Sequence, residues 1–198
     1  MRECNNTVEL IGTVAEAPVF SHENHGQSFD RFPLETQRLS GEVDRVEILT
    51  PSSVRLLPQQ RIRVLGQLRS YNNRTGLGAR LIISVLANVI TAAEGEDENI
   101  VHLSGTLCKP PVLRRTPLGR SICDTLLAVN RRYGRSDYLP CIAWGALALE
   151  ISSRSVGDTL AFQGRIQSRE YTKRIEGTEE VRTAYEVSIM HLEEEDDA

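Results

Sequence analysis

The chain contains no run of about 18 apolar residues, and its opening, Met1-Arg2-Glu3-Cys4-Asn5-Asn6, lacks the apolar stretch of a secretion signal. No membrane partner is expected, and the expected location is cytoplasmic. Cysteine is scarce. Cys4, Cys108, Cys123 and Cys141 show no C-x-x-C spacing, and the four histidines do not join them in a zinc pattern. The thiols read as reduced, mostly strand residues, and neither a metal nor a cofactor is implied. A nucleophile elbow, a P-loop and a paired-carboxylate constellation are also missing. His102 lies in a strand-like segment and His191 at the end of another, with no nearby partners in the sequence that suggest general acid or base work. The expectation is a protein that is not an enzyme, with no catalytic residues.

An excess of positive charge is absent too, since the formal net charge is −4. Division by segment changes what that number means. Residues 1–93 hold 10 Arg and Lys against 9 Asp and Glu, and residues 99–190 hold 13 against 9, so the two halves carry +1 and +4. The acidity is confined to Glu94, Glu96, Asp97 and Glu98, and to Glu193 through Asp197. A nucleic-acid ligand is therefore compatible with the charge of the second half.

What the chain does have is an internal repeat. Asn6 through Val19 can be laid on Asn99 through Val112 with seven of fourteen positions identical. Arg61 through Ser70 then lies on Thr159 through Ser168, the offset having grown by five residues. The length of 198 residues suits two domains of about 100 residues each. The predicted organisation is a reduced domain over 1–93, an acidic linker over 94–98, a second domain over 99–192 and an acidic tail over 193–198.

In the second half, apolar residues alternate with polar ones near 99–107, 121–133, 137–144, 158–172 and 181–191, which predicts five strands. A single helical stretch, Gly145 to Ile151, lies between the third and fourth of them. Five strands with a helix after the third is the order of an OB-fold barrel. Gly105 and Gly164, in the middle of the first and fourth strands, suit the bends that a small closed barrel needs. The first half repeats them as Gly12 and Gly66, but Thr50 through Pro58 carries two prolines and reads as a loop in place of the helix. The predicted fold class is mainly β, as two tandem five-stranded OB barrels.

Single-stranded nucleic acid offers base faces and phosphates, so a binder needs flat side chains interleaved with cations. Period-two alternation places Arg165, Gln167, Arg169, Tyr171 and Lys173 on one face of the fourth strand, and Tyr138, Pro140, Ile142 and Trp144 on one face of the third. The turn Asn130-Arg131-Arg132-Tyr133-Gly134-Arg135-Ser136 is the densest cluster of arginine with an aromatic. Arg114, Arg115 and Arg120 add charge between the first two strands. In the first half, Arg69 and Tyr71 share the corresponding face, with Arg74 in the loop that follows, while nothing in Val43 through Leu49 matches Tyr138 or Trp144. Phe29 and Phe32 fall on opposite faces of their strand, so weaker DNA contact, or a role in assembly, is expected there. Each of these residues also has a plain structural reading, an aromatic as core and an arginine as solvated surface.

The segment from Asn99 to Glu193 resembles the DNA-binding domain of the bacterial single-stranded DNA-binding proteins. The resemblance lies in Val101 through Leu107 with Pro111, in Tyr138 through Gly145, and in Gly164-Arg165-Ile166-Gln167-Ser168-Arg169-Glu170-Tyr171. It implies that Tyr133, Tyr138, Trp144 and Tyr171 occupy base-contacting positions. It also implies sequence-tolerant binding and protection of single-stranded DNA in replication, recombination or repair, and a homodimer presenting four OB domains. The family's tail carries a short apolar tip that docks replication or repair proteins; Glu193 through Ala198 is acidic but has no such tip. The competing expectation is a primosome-like assembly or loading protein that uses its OB surfaces for protein contacts.

Overall fold

The structure, a computed structural model, describes residues 6–73, 79–131, 134–175 and 178–193. These fall into two compact units. One is built on Val8–Asn99 with Gln167–Ala184, the other on Ile100–Ile166 with the chain from Tyr185 onward.

The first half forms β1 (Asn6–Val14), β2 (Val19–Asn24), β3 (Gln27–Gln37), β4 (Val43–Pro51), β5 (Arg61–Asn72) and β6 (Leu81–Ala92). The second forms β7 (Glu98–Leu107), β8 (Val112–Arg115), β9 (Ser121–Asn130), β10 (Ser136–Trp144), α1 (Ala146–Ser152), β11 (Thr159–Ile175) and β12 (Thr178–Leu192). Pairing closes five strands into a ring in each half. In the first, β1 is antiparallel to β3, β3 to β4, β5 to β6 and β5 to β1, and the remaining pair, β4 with β6, is parallel. In the second, β7 pairs β9, β9 pairs β10, β10 runs parallel to β12, and β12 leads through β11 back to β7. Both circuits follow the OB order.

The rings follow from alternation. Val8, Leu10, Val14, Ile62, Val64 and Leu68 are buried in the first, and Val101, Leu103, Leu107, Leu127, Leu139 and Phe162 in the second, with intermediate or exposed residues between them along each strand. Closing so small a ring brings backbones too near for side chains at certain points. A Cβ on Gly105 would lie 2.8 Å from the Ala128 carbonyl oxygen across the β7–β9 pair, and one on Gly164 would lie 2.4 Å from that of Ser188. Gly12 and Gly66 meet Glu35 and Leu86 in the same way.

The structure has two strands beyond the five expected in each half, β2 and β8. Their residues are nearly all exposed, so they show no alternation to be read. The helix begins one residue after Gly145, which sits at φ 63°, and it buries Ala148 and Ile151. In the first half, residues 52–60 form turns where the prolines predicted a loop. No helix among the described residues is long and apolar enough to cross a membrane.

Alanine at Gly105 or Gly164 forces a strand to shift at the closure. Each substitution is expected to cost about 1–3 kcal/mol, read as a lowered midpoint in urea unfolding with an unchanged slope.

Candidate nucleic-acid interface

The outer face of β9 and β10 is built by register. Trp144 lies opposite Ile122, Ile122 lies opposite Arg114 on β8, and Tyr138 lies opposite Ala128. Tyr138 is 50% exposed and Trp144 is half-buried. The guanidinium carbon of Arg120, from the turn between β8 and β9, lies 5.2 Å from the centre of the Trp144 ring, within cation–π range. One edge of the sheet thus carries two outward aromatics and a cation held over one of them. Arg115 and Arg135 are exposed.

The other arginines of this unit are committed to carboxylates in different degrees. Arg114 donates from Nε and Nη2 to Asp124, at 2.5 and 3.2 Å, a partly exposed pair across β8 and β9. Arg131 donates from Nε to Asp137 Oδ2 at 2.5 Å and from Nη2 to Oδ1, and Asp137 is wholly buried. Its guanidinium is bound to the fold. The first half repeats this bond at the same six-residue spacing. Arg38 donates to both oxygens of the buried Asp44, at 2.7 and 2.6 Å, and its affinity for the proton is raised by that hydrogen bond. Asp44 also accepts the Ser168 N–H at 2.8 Å, and Ser168 Oγ accepts the Arg45 N–H at 2.9 Å. Both Arg–Asp pairs join the end of the second ring strand to the start of the third. The identical spacing in the two halves is the signal that pattern reading for cations passes over.

Along β11, Phe162, Gly164 and Ile166 are buried while Arg165, Gln167, Arg169 and Tyr171 face outward. Tyr171 is 37% exposed and Arg169 is exposed, and both belong with the unit that contains β1 to β6. Arg165 is half-buried and takes part in polar contacts. In the same unit as Arg169, Tyr71 is 53% exposed, whereas Arg69 is half-buried and donates to Gln67 Oε1 at 2.5 Å and to the Leu68 carbonyl at 3.3 Å. Tyr133, Arg132 and Arg74 lie outside the described residues, as does the side chain of Lys173.

Chemistry of other kinds finds little material. Among the described residues no group of three His, Cys, Asp or Glu side chains is placed to hold a metal. Cys141 is fully buried, and burial pushes its thiol far up, as it does less strongly for Cys123 and Cys108.

The division between bound and exposed arginines is measurable. Removing one partner of a buried ion pair typically costs about 3–5 kcal/mol, so Arg131→Ala and Arg38→Ala are expected to lower stability by that order in denaturant titration. Arg169→Ala and Arg115→Ala are expected to stay within about 0.5 kcal/mol of the parent chain.

Residues 98–193 match the model of the single-strand binding protein family. Single-stranded DNA-binding protein A of Bacillus subtilis is 34% identical over 80 residues, which cover 37% of this chain and 46% of that protein. A single-stranded DNA-binding protein of Halalkalibacterium halodurans is 35% identical over 80 residues, covering 37% of this chain and 48% of that one. The match therefore spans about half the length of these curated relatives. The crystal structure of the wild-type single-stranded DNA binding protein from Thermus aquaticus is similar over 98% of this chain and 94% of that one, with a TM-score of 0.78 and 25% sequence identity. Strand order, outward aromatics and family match coincide on one segment, residues 98–193, which is similar to the single-strand binding protein family.

Proposed function

We propose that the chain binds single-stranded DNA with little regard to sequence and protects it during replication, recombination or repair, acting as a binding protein and not as an enzyme. The observation that carries this reading is the outer face of β9 and β10. Tyr138 is 50% exposed there, the half-buried Trp144 has Arg120 5.2 Å from its ring centre, and the segment is the one that matches the family. Flat rings take bases by stacking, at about 1–3 kcal/mol per base, and the cation answers the phosphates. The contact set we assign is Tyr138, Trp144 and Arg120 with Arg115 and Arg135 in one unit, and Arg169, Tyr171 and Tyr71 in the other. Tyr133, Arg132, Lys173, Arg165 and Arg74 remain candidates on sequence grounds. Arg114 contributes only as far as its pair with Asp124 opens, and Arg131 serves the fold.

We also infer two tandem OB domains, 1–93 and 99–192, joined by the acidic linker 94–98, with the tail beginning at 193. Two closed strand circuits and the similarity to the Thermus aquaticus protein over nearly the whole chain support that division. The resemblance further leads us to propose a homodimer presenting four OB domains.

Titration with oligo-dT is expected to quench Trp144 fluorescence. Log affinity is expected to fall linearly with log salt, at roughly −0.7 per phosphate contacted. Tyr138→Ala is expected to weaken binding about ten-fold. Flat binding across the salt series, or an unquenched Trp144, overturns the reading. Sedimentation equilibrium of the free protein is expected to give twice the mass of the chain, and a monomer removes the four-domain proposal.

A further inference from the structure

The first half lacks an aromatic where the second has Trp144, but the register places one beside that position. The repeat offset that lays Asn6 on Asn99 also lays Phe29 on Ile122 and Pro51 on Trp144. Phe29 pairs with Pro51 across β3 and β4, as Ile122 pairs with Trp144 across β9 and β10. The aromatic ring has changed strands within an equivalent pair. Phe29 is half-buried, and it faces an exposed aromatic ring on its other side. His22 on β2 lies opposite it, and the two rings stack with centroids 5.2 Å apart and planes 11° from parallel.

Arg31, two residues beyond Phe29 on the same face of β3, supplies the cation. Its side chain is 55% exposed, and it forms an ion pair with the more buried Glu47 at 3.6 Å, longer than a hydrogen-bonded pair, so its outer side is left facing solvent. Ser21 adjoins the cluster, its hydroxyl 3.0 Å from His22 Nδ1. A stacked ring pair at a sheet edge, a partly exposed arginine beside it, and register equivalence to the Trp144 platform make one arrangement. It matches the needs of a nucleobase with its phosphate.

We propose that His22, Phe29 and Arg31 form a second base-stacking site, in the first half of the chain, which takes a nucleotide of the same class of ligand, single-stranded DNA. The site rests on the reading of the chain as a single-stranded DNA binder. Its aromatic is supplied by β3 where the second half uses β10, which is why strand-by-strand comparison of the two halves finds no counterpart to Trp144.

The test places a reporter at the site. In the full chain, Phe29→Trp is combined with Trp144→Phe, so that the only indole is at position 29. A 5′-labelled oligo-dT follows binding independently through its anisotropy. Emission from position 29 is expected to be quenched in step with the rise in anisotropy, and Phe29→Ala with His22→Ala is expected to weaken binding of long oligonucleotides by about five- to a hundred-fold. Saturating anisotropy with unquenched emission overturns the second site and leaves the proposed function standing. Failure of the parent chain to raise the anisotropy sinks the proposed function, and this site falls with it.

Discussion

Each barrel depends on a place where two backbones come nearer than any side chain permits. At Gly12 and Gly105 the first strand of a ring meets the second, and a Cβ would lie 2.2 Å from the Glu35 carbonyl oxygen in one case and 2.8 Å from that of Ala128 in the other. Without that approach the five strands remain an open sheet, whose unpaired edges would invite association. With it, Leu10, Val64, Leu103 and Phe162 are sealed inside. The interior left by a five-stranded ring is filled by its own side chains, so a ligand finds room only outside. The glycines thus decide more than stability. They leave the outward residues of strands, whose inward residues are fixed, as the places where a ligand could be met.

Charge is sorted by the same geometry. The surplus of arginine in the second half looks, as a count, like a uniform basic surface. In the fold it divides by degree of pairing, and its most committed member, Arg131, has a counterpart in Arg38 of the first half. Arg131 and Arg38 are bound to the buried Asp137 and Asp44, where the loss of solvation is offset by two hydrogen bonds from a planar fork. Arg120, Arg115 and Arg135 are exposed, and the first of these lies over an indole ring. The salt response proposed for binding follows the exposed arginines, because such cations exchange a counterion for a phosphate.

Much of the fold was legible in the sequence because the relevant signals are local. Alternation at period two identified the inward residues of β11 from Phe162 to Ile166, and the repeat of Gly105 and Gly164 as Gly12 and Gly66 pointed to closure before any pairing was known. The short strands β2 and β8 escaped because exposed residues on both faces leave no period to detect. The Arg–Asp pairs escaped for another reason. Arg131 belongs to a cluster of arginines, and only the bonds it makes with the buried Asp137 in the fold show that its charge is paired. The position of Arg120 over Trp144 is less legible still, since 24 residues separate them and no spacing rule connects a turn to the end of a later strand.

The comparison of the two halves shows where such reasoning loses its hold. Laid end to end, they suggest that the first has kept the barrel and lost the platform, since Pro51 replaces Trp144 and Arg45 replaces Tyr138. A sheet face, however, is a two-dimensional surface. A ring on β3 and a ring on β4 that share one cross-strand pair occupy neighbouring points on it, about 5 Å apart. A stacking surface can be supplied from either strand of such a pair. Phe29 opposite Pro51 and Trp144 opposite Ile122 are two placements of one aromatic in one pair. The unit to compare between repeated barrels is therefore the cross-strand pair, and on that basis the first half carries an aromatic at the place where an alignment of single residues leaves a gap.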